Sequence, residues 1–154
     1  MDSTPTFDYQ GAIEKLRDRY GFDFTAVALV QPAAERFALT WQYASGNIND
    51  RYKRIVLYSG RGLAGIVFKT GKPELIKSVS SELNAQELFN YPIIVAERLK
   101  SLTAVPLWSN QRVTGVLLAG FRQDHRMTED MLTMLQDSIG QEFGSIYDKE
   151  MDEH

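Results

Sequence analysis

The sequence predicts an α+β domain: a sheet of five to six strands, covered on one face by a helix from each end of the chain, with a ligand pocket on the other face. Three observations predict it. Apolar residues recur at helical spacing near both ends, two pairs of strand-like runs are joined by short polar turns, and a short glycine-punctuated helix stands between them. The 154 residues, 44% hydrophobic and 24% charged, suit one soluble globular domain. Folding at that length removes roughly 70% of the extended surface from water, so no metal or disulfide staple is needed.

Tyr9, Ile13, Leu16 and Tyr20 lie on one stripe of an amphipathic helix that Gly21 can end. Phe24 to Val30 is rich in β-branched and aromatic residues. After a turn over Gln31 to Arg36, the residues Phe37, Leu39, Trp41 and Tyr43 alternate with Ala38, Thr40, Gln42 and Ala44, which predicts a hairpin with one aromatic face buried. Gly46 to Asp50 is a turn cluster and Arg54 to Tyr58 a third strand. A two-turn helix follows Gly60 and is closed by Gly71, with Pro73 beyond it. Glu74 to Ser78 reads as a short strand, Ser81 to Phe89 as a helix, Tyr91-Pro92 as a break, and Ile93 to Lys100 as loop or helix. Ser101 to Trp108 and Arg112 to Phe121 are strands joined by Ser109-Asn110-Gln111. Thr128, followed by Glu129 and Asp130, caps a last helix of about twenty residues with Leu132, Leu135, Ile139, Glu142 or Phe143, and Ile146 on its apolar stripe; it should pair with the first helix.

Composition removes whole classes of chemistry. With no cysteine there is no thiolate nucleophile, sulfur-ligated zinc, iron–sulfur cluster or thioether-linked pigment. Two histidines, His125 and His154, supply neither a triad nor a multi-histidine metal site. Glu82, Glu87 and Glu97 have no partner at a spacing that suggests acid–base work, so no enzyme is expected. Seventeen basic against 20 acidic residues, net −3, leave no footprint for nucleic acid or an anionic membrane. The polar start Met1-Asp2-Ser3-Thr4-Pro5 is unlike a signal peptide, and no apolar run spans a bilayer, so a cytoplasmic location is expected.

Gly60-x-Gly62-x-x-Gly65 matches the dinucleotide fingerprint, yet the helix after it is too short and the neighbouring elements do not alternate as a parallel βαβ array. The physics of the fingerprint still applies. The first N–H groups of a helix lack intrahelical partners and carry the positive end of its dipole. With Leu63 and Ala64 at the mouth in place of Lys, Ser or Thr, such a site suits a small, weakly hydrated anion rather than a triphosphate. The bland alternative is that Gly62 and Gly65 only permit close helix-on-sheet packing. Trp41 is either core or a pocket wall. Tyr91, constrained before Pro92, can donate to a ligand or cap a neighbouring carbonyl. Arg51, Lys53 and Arg54 read as a solvated strand edge, with a docking patch as the other reading. Met127, Met131 and Met134 read as core or dimer-seam filler.

Gly60-x-Gly-Leu-Ala-Gly-x-Val-x-x-x-Gly71-Lys-Pro73, Ser101-Leu-x-Ala-Val-Pro-Leu107, Val113-x-Gly-Val-Leu-x-Ala-Gly120 and the capped last helix together resemble the GAF domain family over nearly the whole chain. The resemblance implies a single GAF domain over residues 1–154: a central antiparallel sheet of five to six strands, terminal helices that often dimerise, and a small-molecule pocket opposite them. Trp41-x-Tyr43-x-Ser-Gly-Asn47-x-Asn-Asp-Arg51-x-Lys-Arg-Ile-Val-Leu57 and Phe89-Asn-Tyr-Pro-Ile93 are similar to the branch of nitrate receptors found in low-GC Gram-positive bacteria. That branch implies nitrate held by the backbone N–H groups of Leu63 and Ala64, with Tyr91, Pro92 and the Ile93 backbone on the opposite side, Trp41 as wall, and no cofactor. It also implies a homodimer and a partner, the cytoplasmic oxygen-sensing histidine kinase of a nitrate/oxygen two-component system, whose autophosphorylation the nitrate-free receptor restrains. The family's free methionine sulfoxide reductases and bilin photoreceptors need cysteines this chain lacks, and the Asn-Lys-x-Asp-like signature of cyclic-nucleotide binders is missing. The alternative function is a GAF domain for another small ligand, or a dimeric interaction module.

Overall fold

A computed structural model describes residues 7–32 and 37–142. The first helix, α1 (Tyr9–Tyr20), begins where the Asp8 carboxylate accepts from the Gly11 amide at 2.9 Å and ends at Gly21 in the left-handed region. Six antiparallel strands follow: β1 (Phe24–Pro32), β2 (Phe37–Ser45), β3 (Val56–Tyr58), β4 (Glu74–Ile76), β5 (Ser101–Ser109) and β6 (Arg112–Phe121). Their order across the sheet is β3-β2-β1-β6-β5-β4, which leaves β3 and β4 at the edges. The sheet matches the expected strand count. Asn110 and Gln111, both at positive φ, make the two-residue turn between β5 and β6, as the twist of a hairpin favours.

Two cores lie on opposite faces. On one, Ile13 and Leu16 of α1 pack with Leu135 and Ile139 of α6 (Glu129–Glu142) against Val27, Val105, Leu117 and Phe121. The Tyr20 and Ser138 hydroxyls bond to each other across the helix pair. Met127 is buried here, Met131 partly buried and Met134 exposed. Phe143 and Ile146 lie outside the described residues. The second core holds Trp41, Leu57, Leu63, Ala64, Ile93 and Ile94 beneath the short helices α2 (Gly62–Thr70) and α5 (Pro92–Glu97).

Several elements depart from expectation. The hairpin does not bury one aromatic face. Tyr43 pairs with Val27 but Trp41 with Ala28, so Gln42 is a bulge residue that reverses the alternation. Trp41 therefore joins the pocket-side core, while Tyr43 packs on the terminal-helix side, stacked on Tyr9 at 5.4 Å. Arg51–Arg54 winds into a 3₁₀ turn and β3 starts only at Val56, so the basic run is not a strand edge. The helix expected over Ser81 to Phe89 is two helices, α3 (Val79–Glu82) and α4 (Ala85–Phe89). Asn84 divides them because its side chain and that of Glu87 form a reciprocal capping box, which starts a new helix rather than continuing the old. Pro92 occupies the first position of α5, where its missing N–H is harmless, so the ambiguous stretch after it is helical up to Glu97.

Candidate functional site

The segment between β3 and α2 is locked by two backbone bonds, Gly60 N–H to the Gly65 carbonyl (2.8 Å) and Arg61 N–H to the Tyr58 carbonyl (2.9 Å). Gly62 sits at φ 69°, which disfavours any side chain, and a Cβ on Gly65 would lie 2.3 Å from the Tyr58 oxygen. Close packing is thus a real role of Gly65. It also sets the start of α2 firmly against β3, with Leu63 and Ala64 buried. Arg61, the N-cap residue, gives the first amides of this helix no side-chain acceptor. Tyr91, the N-cap of α5, gives none to that helix either.

Trp41 is 3% exposed, and its indole Nε1 has no hydrogen-bond partner. A buried donor left unpaired costs about 1–3 kcal/mol, so an acceptor delivered there would recover a substantial free energy. Tyr91 is half-buried against the same core, and Ile93 is fully buried in it. Burial, then the nearby carboxylates of Glu74 and Glu87, push the Tyr91 phenol above its ordinary value, so it remains a neutral O–H donor. Pro92 is partly buried between them.

A cleft of about 400 Å³ opens above this core. Its walls are β3 (Val56, Leu57 and Tyr58) with the start of α2 (Gly60, Arg61, Gly62 and Ile66) on one side, and Phe89, Asn90 and Tyr91 on the other. Both uncapped helix starts therefore border it, through Gly62 and Tyr91. Of the six sequence-derived site residues only Tyr91 lines the cleft; Trp41, Leu63, Ala64 and Ile93 belong to the core below, and Pro92 follows Tyr91 into α5. Tyr58, Arg61, Phe89 and Asn90 were not expected at the site, although Phe89-Asn90 immediately precedes Tyr91 and Arg61 lies inside the glycine motif. The carboxylates have structural partners. Glu82 accepts from the Lys77 and Ser78 amides, Glu87 completes its capping box, and Glu97 pairs with Arg122 at 2.7 Å. Among the described residues no group of three His, Cys, Asp or Glu side chains could hold a metal, and no helix is long and apolar enough to cross a membrane.

An antiparallel six-stranded sheet with short helices and a cleft on one face and terminal helices on the other defines a small α+β domain, and residues 9–141 match the GAF domain family. The chain belongs to that family. Among solved structures it is similar to NreA of Staphylococcus aureus, mutated in its nitrate-binding site, at 41% identity over 79% of this chain and 90% of that one, with a TM-score of 0.73. A hypothetical protein of S. aureus is similar at 40% identity over 78% of this chain and 98% of that one, with the same TM-score. The free methionine-R-sulfoxide reductase of Neisseria meningitidis, 17% identical over 94% of this chain and 78% of its own with a TM-score of 0.72, shares the fold. No curated protein matches the chain at a significant level.

Proposed function

We propose that this chain is a non-enzymatic nitrate receptor. The observation that carries the reading is the unpartnered, buried indole N–H of Trp41 in the same apolar core as the first residues of a helix without a side-chain cap. Nitrate accepts from the amides of Leu63 and Ala64 and from Trp41 Nε1, while Tyr91, Pro92 and the Ile93 amide close the other side. Every donor is neutral. A planar monoanion with weak hydration gains from such donors, whereas sulfate or phosphate would bring more charge into a site whose interior has no cation and lose more hydration free energy. One helix end contributes only about 0.3–2 kcal/mol, so several donors must act together and the affinity is modest. The similarity to NreA supports the same ligand.

The receptor acts in the cytoplasm as a homodimer on a sensor histidine kinase. Signalling requires that empty and loaded forms differ in affinity for that partner, since a ligand cannot shift an equilibrium between states it binds equally. Calorimetry on protein depleted of small anions tests the reading. Heat with nitrate and none with sulfate is expected; absence of heat with nitrate overturns it.

A further inference from the structure

We propose that the cleft is the access route to the buried site and that Arg61, with Lys69 beside it, steers the anion inward without serving as a ligand; this rests on the nitrate reading above. The chain as a whole is net negative, so an approaching anion meets a repulsive field unless charge is arranged locally. It is so arranged. From Arg51 to Pro73 the sequence contains Arg51, Lys53, Arg54, Arg61, Lys69 and Lys72 and no acidic residue. All six are exposed, and none has an ion pair among the described residues.

Two of these cations stand at the cleft. Arg61 lines it. A Cβ on Gly60, another lining residue, would lie 3.1 Å from Lys69 Cδ and 3.6 Å from its Nζ, which places the ammonium over that wall. The opposite wall, Phe89, Asn90 and Tyr91, has no cation, and two carboxylates act on it from outside the cleft: Glu87, in the first turn of α4, and Glu74 both act on Tyr91. The field therefore runs across the cleft and pulls an anion towards the start of α2. Arg61 is exposed while Leu63 and Ala64 are buried, so the cation acts on the approach and the neutral donors retain what arrives. Charge at the mouth then sets the association rate, and the buried donors set the dissociation rate.

Stopped-flow fluorescence on the Trp108→Phe background, which leaves Trp41 as the single tryptophan, reads nitrate association directly. Arg61→Gln should slow association about two- to threefold at low ionic strength, Arg61→Glu should slow it further, and Glu87→Gln, which can still cap α4, should speed it. Dissociation should change less than twofold. Lys15→Gln, the same charge change at an exposed position on α1, should leave association unaltered. The Arg61 effect should shrink as potassium gluconate, chosen for its bulky anion, shortens the screening length. Equal rates in Arg61→Gln and Lys15→Gln overturn the steering role while leaving the receptor intact. A change confined to dissociation makes Arg61 a ligand and also overturns it. No nitrate response in the unsubstituted background, despite a folded protein, overturns both readings.

Discussion

Among the described residues four α-helices begin with a side chain accepting from their own first turn, and two do not. Asp8, Ser78, Asn84 and Thr128 accept from the amides of Gly11, Ser81, Glu87 and Met131 at 2.8–3.3 Å. Arg61 and Tyr91 provide no such acceptor for α2 and α5, and these are the helices whose starts border the cleft; the capped α4 meets it only at its far end, through Phe89. Capping is worth about 1 kcal/mol, so its omission at these two starts leaves donors available to a ligand at the expense of local stability. The uncapped helices are held by other means. α2 is pressed onto β3 through Gly65, and α5 is anchored at its far end, where Glu97 accepts from the Ile48 amide and pairs with Arg122. Arg122 in turn donates to the carbonyls of Glu97 and Gly46.

The largest expected effect breaks that anchorage. Glu97 is fully buried and Arg122 partly so, and Glu97→Ala removes the charged partner of that guanidinium and the acceptor of the Ile48 amide, so unfolding in denaturant should show a loss of about 1.5–3 kcal/mol. Trp41→Phe sharpens the contrast next, because stability and binding should part company. Nitrate affinity should fall about tenfold by calorimetry, while the ligand-free protein holds or gains stability once an unpaired buried donor is gone. A smaller effect comes from supplying the missing cap. Arg61 already has the extended backbone of an N-cap, so Arg61→Asn should raise the stability of the empty protein by about 0.5–2 kcal/mol and weaken nitrate beyond Arg61→Gln, whereas Asn84→Ala should lose about 1 kcal/mol without altering affinity. The smallest is a pH effect. A phenol whose pKa is raised on folding keeps its proton below the unfolded value of 10.0 and loses it only as pH climbs through the higher folded value. Nitrate titrations should therefore show no contribution from Tyr91 ionisation between about pH 6 and 9, and a loss above the ordinary tyrosine range that Tyr91→Phe abolishes.

What was legible in the sequence followed from local rules. The stripe of α1, the left-handed closure at Gly21 and Gly71, and the turn between β5 and β6 depend on residues close in the chain, and they appear as expected. The glycine-punctuated entry into α2 was legible because Gly62 stands where the backbone takes a positive φ and Gly65 where the helix meets β3. The bulge at Gln42 was not, since it is set by pairing with β1 and the aromatic alternation runs through it unbroken. The split between α3 and α4 was signalled by Asn84 and Glu87, whose capping spacing was outweighed by a continuous helical reading. The cleft was hidden for a different reason. Its walls come from Val56–Ile66 and Phe89–Tyr91, and only the folded chain brings Arg61 and Phe89, the latter 84% exposed, to one opening.

The extra residue at Gln42 makes β2 answer to two masters. Trp41 and Tyr43 are neighbours but one in the chain, yet one stands in the core beneath the cleft and the other is stacked on the first helix. One residue of chain thus separates the packing of the indole from that of the tyrosine ring on the far side of the sheet. Both faces of the sheet therefore take their aromatic anchor from the same short stretch of β2, and the register shift at Gln42 is what divides the two rings between them.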